Sequence, residues 1–243
     1  MHKLPAAPGT LFIVGTPIGN PGDLSLRARE TLQKADIIAC EERREAIRLL
    51  KRYAIDKPLI EVNEHTEAAV SQDVITELLN GKSIALISDC GMPVFADPGT
   101  TLVQAAVGTS IPVTVVPGPT SLGAALAVAG FDVRRFYFHG FLSPKKEERR
   151  NELKTFAAFP VPIVFLDAPY RLRQVLGDLS VAFGPGRPAC VACDLTMEQE
   201  LVKRGSLKKL TEFFAQDETR REYVIIVDAE RRSDRSATYR RSK

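Results

Sequence analysis

The residues best suited to chemistry lie in three loops, each of which directly follows a short apolar run. These loops are Gly15-Thr-Pro-Ile-Gly-Asn20, Asp89 to Gly99, and Pro117-Gly-Pro-Thr-Ser121. The second holds two carboxylates, two prolines and two glycines in eleven residues. Glycines let backbone approach a ligand closely, and carboxylates accept hydrogen bonds from hydroxyl and ammonium groups. We therefore predict a ligand site; rigid surface turns capped by Asp side chains are the alternative.

The first loop lacks the features of a phosphate-binding loop. Its glycines do not follow the G-x-G-x-x-G spacing of dinucleotide sites, and Pro17 has no backbone N–H to offer a phosphate. The chain also lacks the complete P-loop pattern G-x-x-x-x-G-K-[ST]. We expect an uncharged or zwitterionic ligand, which makes a nucleotide-binding protein of the doubly wound type the least favoured class.

Alternating strands and helices must position these loops. Buried apolar runs predict strands at 11–14, 37–40, 59–62, 83–88 and 113–116. Amphipathic patterns predict helices at 26–34, 44–53, 71–79 and 101–107. This alternation is typical of an α/β fold with a mostly parallel sheet and helices on both faces, in which ligands bind beyond the carboxyl ends of the strands.

Beyond Pro119 the pattern predicts a second α/β domain. Its expected helices are 122–128, 146–158, 172–183 and 207–215, and its expected strands are 136–138, 163–166, 189–193 and 223–227. The predicted domains are residues 1–118 and 119–229, followed by a basic tail at 230–243. The tail has a net charge of +4 in a chain whose total is +3, and its composition predicts disorder. Its charge would serve either to hold nucleic-acid phosphates or only to aid solubility.

The composition is that of a soluble globular protein, with 44% hydrophobic and 26% charged residues in a chain of 243. Residues 98–131 carry no charge, but Pro112, Pro117 and Pro119 interrupt them, which favours buried structure over a membrane span. The N-terminus shows no apolar signal segment, so we expect a cytoplasmic protein.

Cys190 and Cys193 have the spacing of a metal or redox pair. In a strand, however, residues three apart point to opposite faces, and neither a second such pair nor a nearby His completes a zinc set. We expect ordinary reduced thiols here, as at Cys40 and Cys90, and we predict no metal site.

The motifs, taken in order, resemble those of one family. In the first half they are residues 15–20 with Asp23-Leu-Ser-Leu-Arg-Ala28, Glu64-His65 with Glu67, Ser88-Asp-Cys-Gly-Met-Pro93 with Asp97-Pro-Gly99, and residues 117–121. In the second half they are Gly140-Phe-Leu142, Pro169 with Arg171, Leu195-Thr196, Arg204-Gly205 and residues 222–227. Together they resemble the tetrapyrrole methylases, and within them the branch that methylates a cytidine ribose in small-subunit ribosomal RNA.

The resemblance implies a two-domain fold whose second domain has a mixed sheet, a homodimer, and S-adenosylmethionine bound between the domains. Carried over by position, the cofactor contacts are Pro17, Asp89, Gly91, Val94, Thr120 and Ser121, then Phe165, Leu166 and Leu195. Methyl transfer from a sulfonium needs alignment and exclusion of water rather than a metal or a covalent nucleophile.

A weakly acidic ribose hydroxyl benefits from a general base or an electrostatic stabiliser. The candidates for that role are Glu41, Glu42, Glu64, His65 and Asp167, with Arg44 and Arg171 positioning phosphate. The alternatives are a structural, hydrogen-bonded histidine at His65 and an ordinary pair of acids at a helix N-terminus for Glu41 and Glu42. Three motifs depart from the family: its E-D-T-R, E-S-P-H-R and E-L-T-K stand here as Glu41-Glu-Arg-Arg44, Asp167-Ala-Pro-Tyr-Arg171 and Asp194-Leu-Thr-Met197. These departures leave two other functions open. The chain could be a methyltransferase that acts on a tetrapyrrole or another small molecule, or a non-catalytic relative associated with RNA or the ribosome.

Overall fold

The computed structural model describes residues 7–63 and 66–229. The chain divides between Ser121 and Leu122 into two compact units, each with its own sheet. The domain boundary expected after residue 118 lies in the loop just before this division. The basic tail, Glu64 and His65 lie outside the described residues.

The first unit is built on a five-stranded sheet in which the strands of every adjacent pair run parallel. The strands are β1 (Leu11–Val14), β2 (Ile37–Cys40), β3 (Leu59–Glu61), β4 (Ile84–Ile87) and β5 (Val113–Val116), in the order β3-β2-β4-β1-β5. The helices are α1 (Leu26–Lys34), α2 (Arg43–Arg52), α3 (Glu67–Leu79) and α4 (Thr100–Gly108). The predicted parallel sheet is thus confirmed.

The central strands are apolar at almost every position because both faces of this sheet are covered by helices. Along β4, Ile84 and Leu86 pack into the cluster that contains α3 and α4, whereas Ala85 and Ile87 pack into the cluster that contains α1 and α2. All four side chains are buried. The period-two alternation of side chains therefore sends each residue into one of two separate cores.

The connections create a switch point beside β4. The chain leaves β1 and β2 toward the face that carries α1 and α2, but it leaves β4 toward the face that carries α3 and α4. Since β4 lies between β2 and β1, the loops that follow these neighbours diverge. In open α/β sheets such divergence at the carboxyl ends of strands forms the crevice in which ligands bind.

The second unit has a mixed sheet. Its strands are β6 (Tyr137–Phe141), β7 (Ile163–Asp167), β8 (Pro188–Cys193), β9 (Leu201–Ser206) and β10 (Tyr223–Val227), in the order β6-β7-β10-β8-β9. The β6–β7 pair is parallel and the other pairs are antiparallel, which confirms the mixed sheet. Helix α5 (Ser121–Val128) leads into this unit, followed by α6 (Lys146–Phe156), α7 (Leu172–Phe183) and α8 (Leu207–Ala215).

The pattern of apolar residues does not predict β9. This strand has the sequence Leu-Val-Lys-Arg-Gly-Ser, lies at the edge of the sheet and is half-buried or exposed along its length. It therefore shows no apolar run. Arg204 of this strand donates from Nε to the carbonyl oxygens of Val128 and Ala129, at 2.9 and 3.2 Å, and so fixes the end of α5.

Cys190 and Cys193 lie in β8, and both side chains are buried. Burial raises the pKa of both thiols, that of Cys193 to about 12, so both carry their protons at neutral pH. Within residues 7–63 and 66–229, no group of three or more His, Cys, Asp or Glu is arranged to hold a metal ion. Over the same residues, every helix is too short or too polar to cross a membrane.

Candidate active site

The loops after β4, β1 and β5 lie side by side, because these strands are neighbours in the sheet. Thr16 joins the first two loops. Its backbone N–H donates to the carbonyl oxygen of Gly91 at 2.8 Å, and its buried hydroxyl lies 3.2 Å from the carbonyl oxygen of Ser88 and 3.1 Å from the N–H of Gly91. The N–H of Gly15 donates to the carbonyl oxygen of Val116 at 3.0 Å, which ties the first loop to the end of β5.

Glycines allow the three loops to touch through bare backbone. A Cβ on Gly15 would lie 2.6 Å from Cα of Gly118 and 2.7 Å from Sδ of Met92, so no side chain fits there. Gly91 has a φ of +90°, and a Cβ on it would lie 3.5 Å from the carbonyl oxygen of Pro119 and 3.9 Å from Cα of Thr120. Five predicted contact residues, Pro17, Gly91, Val94, Thr120 and Ser121, therefore belong to loops that meet at one edge of the sheet.

The loop from Ser88 to Gly99 is held in a strained conformation. Val94 and Ala96 have φ values of +73° and +63°, and a β-branched residue with positive φ is a genuine outlier. Inside the loop, the hydroxyl of Ser88 donates to Oδ2 of Asp97 at 2.7 Å. Strain of this kind persists only where surrounding contacts impose it, and it concentrates at ligand sites. It supports the prediction that Val94 borders the cofactor.

Glu67 fixes the far end of this loop. Its Oε1 accepts hydrogen bonds from the N–H groups of Gly99, Thr101 and Leu102, at 3.0, 2.7 and 3.3 Å. The Glu67 carboxylate therefore satisfies free donors at the start of α4, where the helix dipole also favours a negative charge. The sequence places Glu67 within a family motif, but the structure gives it this architectural role.

Asp89 lies at the switch point and reaches solvent. Its Oδ1 accepts a hydrogen bond from the N–H of Glu42 at 3.2 Å, because β2 and β4 are neighbours. Burial of the carboxyl group raises the pKa of Asp89; the Glu42 N–H partly opposes this, and the carboxylates of Glu42, Glu45 and Asp97 add to the rise. An exposed carboxylate of this kind suits ligand hydroxyl or ammonium groups as an acceptor.

The predicted catalytic residues of the first unit group at the same edge. Glu41 directly follows β2 and is half-buried, while Arg44 lies exposed in the first turn of α2. The hydrogen bond between Glu42 and Asp89 places this turn beside the candidate cofactor loops. The candidates Glu64 and His65 lie outside the described residues.

At the end of β7, Phe165 and Leu166 differ in the way they could contact a ligand. The ring of Phe165 is completely buried, with its centroid 5.5 Å from that of His139 and 6.3 Å from that of Phe183. Phe165 therefore packs into the core of the second unit. Leu166 points to the opposite face and is half-buried.

Arg171 is buried and already bonded. Its Nη1 lies 3.0 Å from Oδ1 of Asp167, and its guanidinium donates to the carbonyl oxygens of Leu142 and Ser143 at 3.3 and 2.7 Å. Arg171 thus joins the ends of β6 and β7. This geometry favours a positioning role for Arg171 over the phosphate contact that the resemblance implies. Burial raises the pKa of Asp167, and Arg171 opposes that rise.

Leu195 occupies a strained turn after β8. It is buried between Asp194 and Thr196, whose φ values are +48° and +69°. Asp194 anchors the turn, since its Oδ2 lies 2.7 Å from Nη1 of Arg221 and its Oδ1 accepts from the N–H of Glu222 at 3.1 Å. No local pattern predicts the role of Arg221, because its partner Asp194 lies 27 positions earlier in the chain.

Known proteins resemble this chain in sequence. The sequence pattern of the family described as Tetrapyrrole (Corrin/Porphyrin) Methylases matches residues 10–211. A Xylella fastidiosa protein named ribosomal RNA small subunit methyltransferase I is 44% identical, over 91% of this chain and 82% of its own length. A Thermotoga maritima protein of the same name is 37% identical, over 90% of this chain and 98% of its own.

Solved structures show the same fold. A crystal structure of diphthine synthase superposes on this chain with a TM-score of 0.73 and 16% sequence identity. The superposition covers 90% of this chain and 89% of the diphthine synthase chain. Uroporphyrin-III C-methyltransferase from Thermus thermophilus, complexed with S-adenosylhomocysteine, covers 90% of this chain and 97% of its own with a TM-score of 0.63 and 19% identity.

The chain belongs to the tetrapyrrole methylase family. This family consists of S-adenosylmethionine-dependent methyltransferases, so the chain is an enzyme of that class and S-adenosylmethionine is its cofactor. The predicted family, enzyme class and cofactor are confirmed.

Proposed function

We propose that this enzyme transfers a methyl group from S-adenosylmethionine to the 2′-hydroxyl of a cytidine ribose in small-subunit ribosomal RNA. The observation that carries the proposal is that relatives named ribosomal RNA small subunit methyltransferase I match about nine-tenths of the chain at up to 44% identity. Such a substrate would make the enzyme cytoplasmic. The resemblance also leads us to propose a homodimer.

The residues of the first unit fit the cofactor. Bare backbone at Gly15, Gly91 and Gly118 lets the three loops pack closely together, and Asp89 offers an acceptor for hydroxyl or ammonium groups. The first loop lacks the G-x-G-x-x-G spacing and has Pro17 without an N–H, in keeping with a cofactor that carries no phosphate. We propose that Pro17, Asp89, Gly91, Val94, Thr120 and Ser121 contact it, and that Phe165, Leu166 and Leu195 add contacts from the second unit.

Bound S-adenosylmethionine supplies an activated methyl group. The ribose hydroxyl that would accept this methyl group must lose its proton to a base of this chain. We propose Glu41, Glu64 or His65 as that base or as its positioning partner, and Arg44 as a phosphate contact. Arg171 holds the ends of β6 and β7 in place instead of meeting the substrate.

The test is transfer of labelled methyl from S-adenosylmethionine to small ribosomal subunits from cells that lack the cytidine ribose mark. We expect label in the RNA, mapped to a ribose 2′-oxygen. A parallel incubation with a tetrapyrrole checks the main alternative. Unlabelled RNA from an enzyme that binds the cofactor normally would overturn the RNA proposal, and label in the tetrapyrrole would replace it.

A further inference from the structure

The two helix layers of the first unit carry opposite charge. The layer formed by α1 and α2 has a net charge of +6, from Arg27, Arg29, Lys34, Arg43, Arg44, Arg48, Lys51 and Arg52 against Glu30 and Glu45. The layer formed by α3 and α4 contains no Lys or Arg and has a net charge of −3, from Glu67, Asp73 and Glu77. The sheet therefore separates a cationic face from an anionic one.

The charge of the cationic layer faces solvent. All eight of its Lys and Arg residues are exposed, whereas its apolar residues, such as Leu32 and Leu50, are buried against the sheet. Its two acids each meet one cation: Glu30 lies 3.5 Å from Lys34, and Glu45 lies 2.7 Å from Arg48. Exposed pairs of this kind are weak and leave the net positive field in place.

Two arginines of the second unit are used differently. Arg149 is completely buried with its Nη2 2.7 Å from Oδ2 of Asp178, and Arg221 is bonded to both Asp194 and Asp217. These guanidinium groups serve the fold. The cations of the α1–α2 layer differ in being exposed, although Arg43 among them donates to the carbonyl oxygen of Leu59 at 3.2 Å.

The cationic layer also adjoins the candidate active site. Helix α2 begins directly after Glu42, whose N–H is bonded to Asp89, and α1 follows the first cofactor loop. With ten residues, α2 extends about 15 Å from this edge. An extended polymer bound along α2 would thus have a neighbouring segment at the cofactor loops.

The chemistry of the layer favours RNA as its partner. Six of its eight cations are arginines, whose planar guanidinium groups match phosphate oxygens in pairs. A bilayer would require an apolar face toward the membrane, but the apolar stripes of α1 and α2 point inward, and only Leu26 and Ile47 are exposed as isolated side chains.

We propose that the α1–α2 layer binds the phosphate backbone of the RNA substrate and so presents the target ribose to the cofactor loops. This inference rests on the proposed function. It assigns the main electrostatic contact to the first unit, rather than to the basic tail or to α6.

The test compares two triple variants with equal charge loss. Arg29→Gln, Lys51→Gln and Arg52→Gln remove three cations from the layer, while the catalytic candidate Arg44 stays. Lys154→Gln, Lys208→Gln and Lys209→Gln remove three exposed cations from α6 and α8. Affinity for small-subunit RNA is measured over a range of salt concentrations, together with methyl transfer and S-adenosylmethionine affinity.

For the layer variant we expect RNA affinity to fall by about tenfold or more and the slope of log affinity against log salt to become shallower by about two to three. The KM for RNA should rise, with kcat and cofactor affinity unchanged. The control variant should behave like the parent. A charge-preserving variant, Arg29→Lys with Lys51→Arg and Arg52→Lys, should retain RNA binding, which separates loss of charge from loss of fold.

An unchanged salt slope in the layer variant, or an equal loss in the control, would overturn the inference while the proposed function stands. Preferential binding of the layer to anionic vesicles over RNA would also overturn it. A parent enzyme that binds the cofactor but neither binds nor methylates RNA would overturn the proposed function itself, and the inference with it.

Discussion

Asp89 combines access to a ligand with a carboxyl group that holds its proton more tightly than a free aspartate. Burial raises its pKa above 3.8. We expect only the ionised form to attract the ammonium or hydroxyl groups of the cofactor. Affinity for S-adenosylmethionine should therefore weaken as pH falls through this raised pKa, at a higher pH than an ordinary aspartate would give.

Asp89→Asn should lower cofactor affinity by about tenfold or more, since a hydrogen bond to a charged group contributes roughly 1.5–3 kcal/mol. The acidic limb of the affinity profile should disappear with it. Because the pKa of Asp89 is raised in the folded protein, ionisation costs stability as pH rises, so the neutral variant should unfold no more easily than the parent. Calorimetric titration across pH checks this; an unchanged profile would remove Asp89 from the site.

The close contact between the first and third loops requires a glycine at position 15. In Gly15→Ala, the new methyl would lie 2.6 Å from Cα of Gly118, and backbone would have to move. We expect a loss of about 1–3 kcal/mol in the free energy of unfolding, together with weaker cofactor binding.

The matched control is Gly177→Ala in the interior of α7, where a Cβ would meet nothing within 4 Å. That change should stabilise the protein by up to about 1 kcal/mol, because alanine favours a helix interior. Urea denaturation of both variants provides the measurement. Similar effects of the two changes would mean that the Gly15 contact is looser than the structure indicates.

At the scale of elements, Glu67 of α3 supports both α4 and the cofactor loop. Glu67→Ala would leave three N–H groups without their acceptor, those of Gly99, Thr101 and Leu102. Loss of a cap of this kind costs about 0.5–2 kcal/mol. We expect reduced stability and faster hydrogen exchange at these amides, measured by amide exchange, with Asp73→Ala on the exposed side of α3 as the control.

The sequence predicts those elements whose signal is local. Strands β1, β2 and β4 are uninterrupted apolar runs, so their burial on both faces is visible in the chain itself. Strand β9 cannot be predicted in this way, because it lies at the edge of the sheet, where no apolar run is required. It contains Lys203, Arg204 and Gly205 instead.

The candidate site divides in the same way. Its three loops could be predicted from their glycines, prolines and carboxylates. The links between them could not, because Thr16 meets the carbonyl oxygen of Gly91 across 75 positions of the chain. The burial of Arg171 could not be predicted from the sequence either, because it depends on contact with the carbonyl oxygens of Leu142 and Ser143, which are distant in the chain.

At the scale of the whole molecule, the resemblance predicts a homodimer. The mass in solution should then be about twice the 26.7 kDa of one chain. Light scattering coupled to size-exclusion chromatography, over a range of protein concentrations, measures this directly. A mass of one chain at every concentration would contradict the prediction, and it would leave the methyltransferase assignment untouched.

The opposite charges on the two helix layers give the first unit an electric dipole moment directed across its sheet. In the field of a polyanion such a unit experiences a torque that turns α1 and α2 toward the polyanion before any atoms touch. A larger fraction of encounters then begins in the productive orientation, and association is accelerated at low ionic strength. The anionic face contributes to this orientation, because its repulsion disfavours docking through α3 and α4.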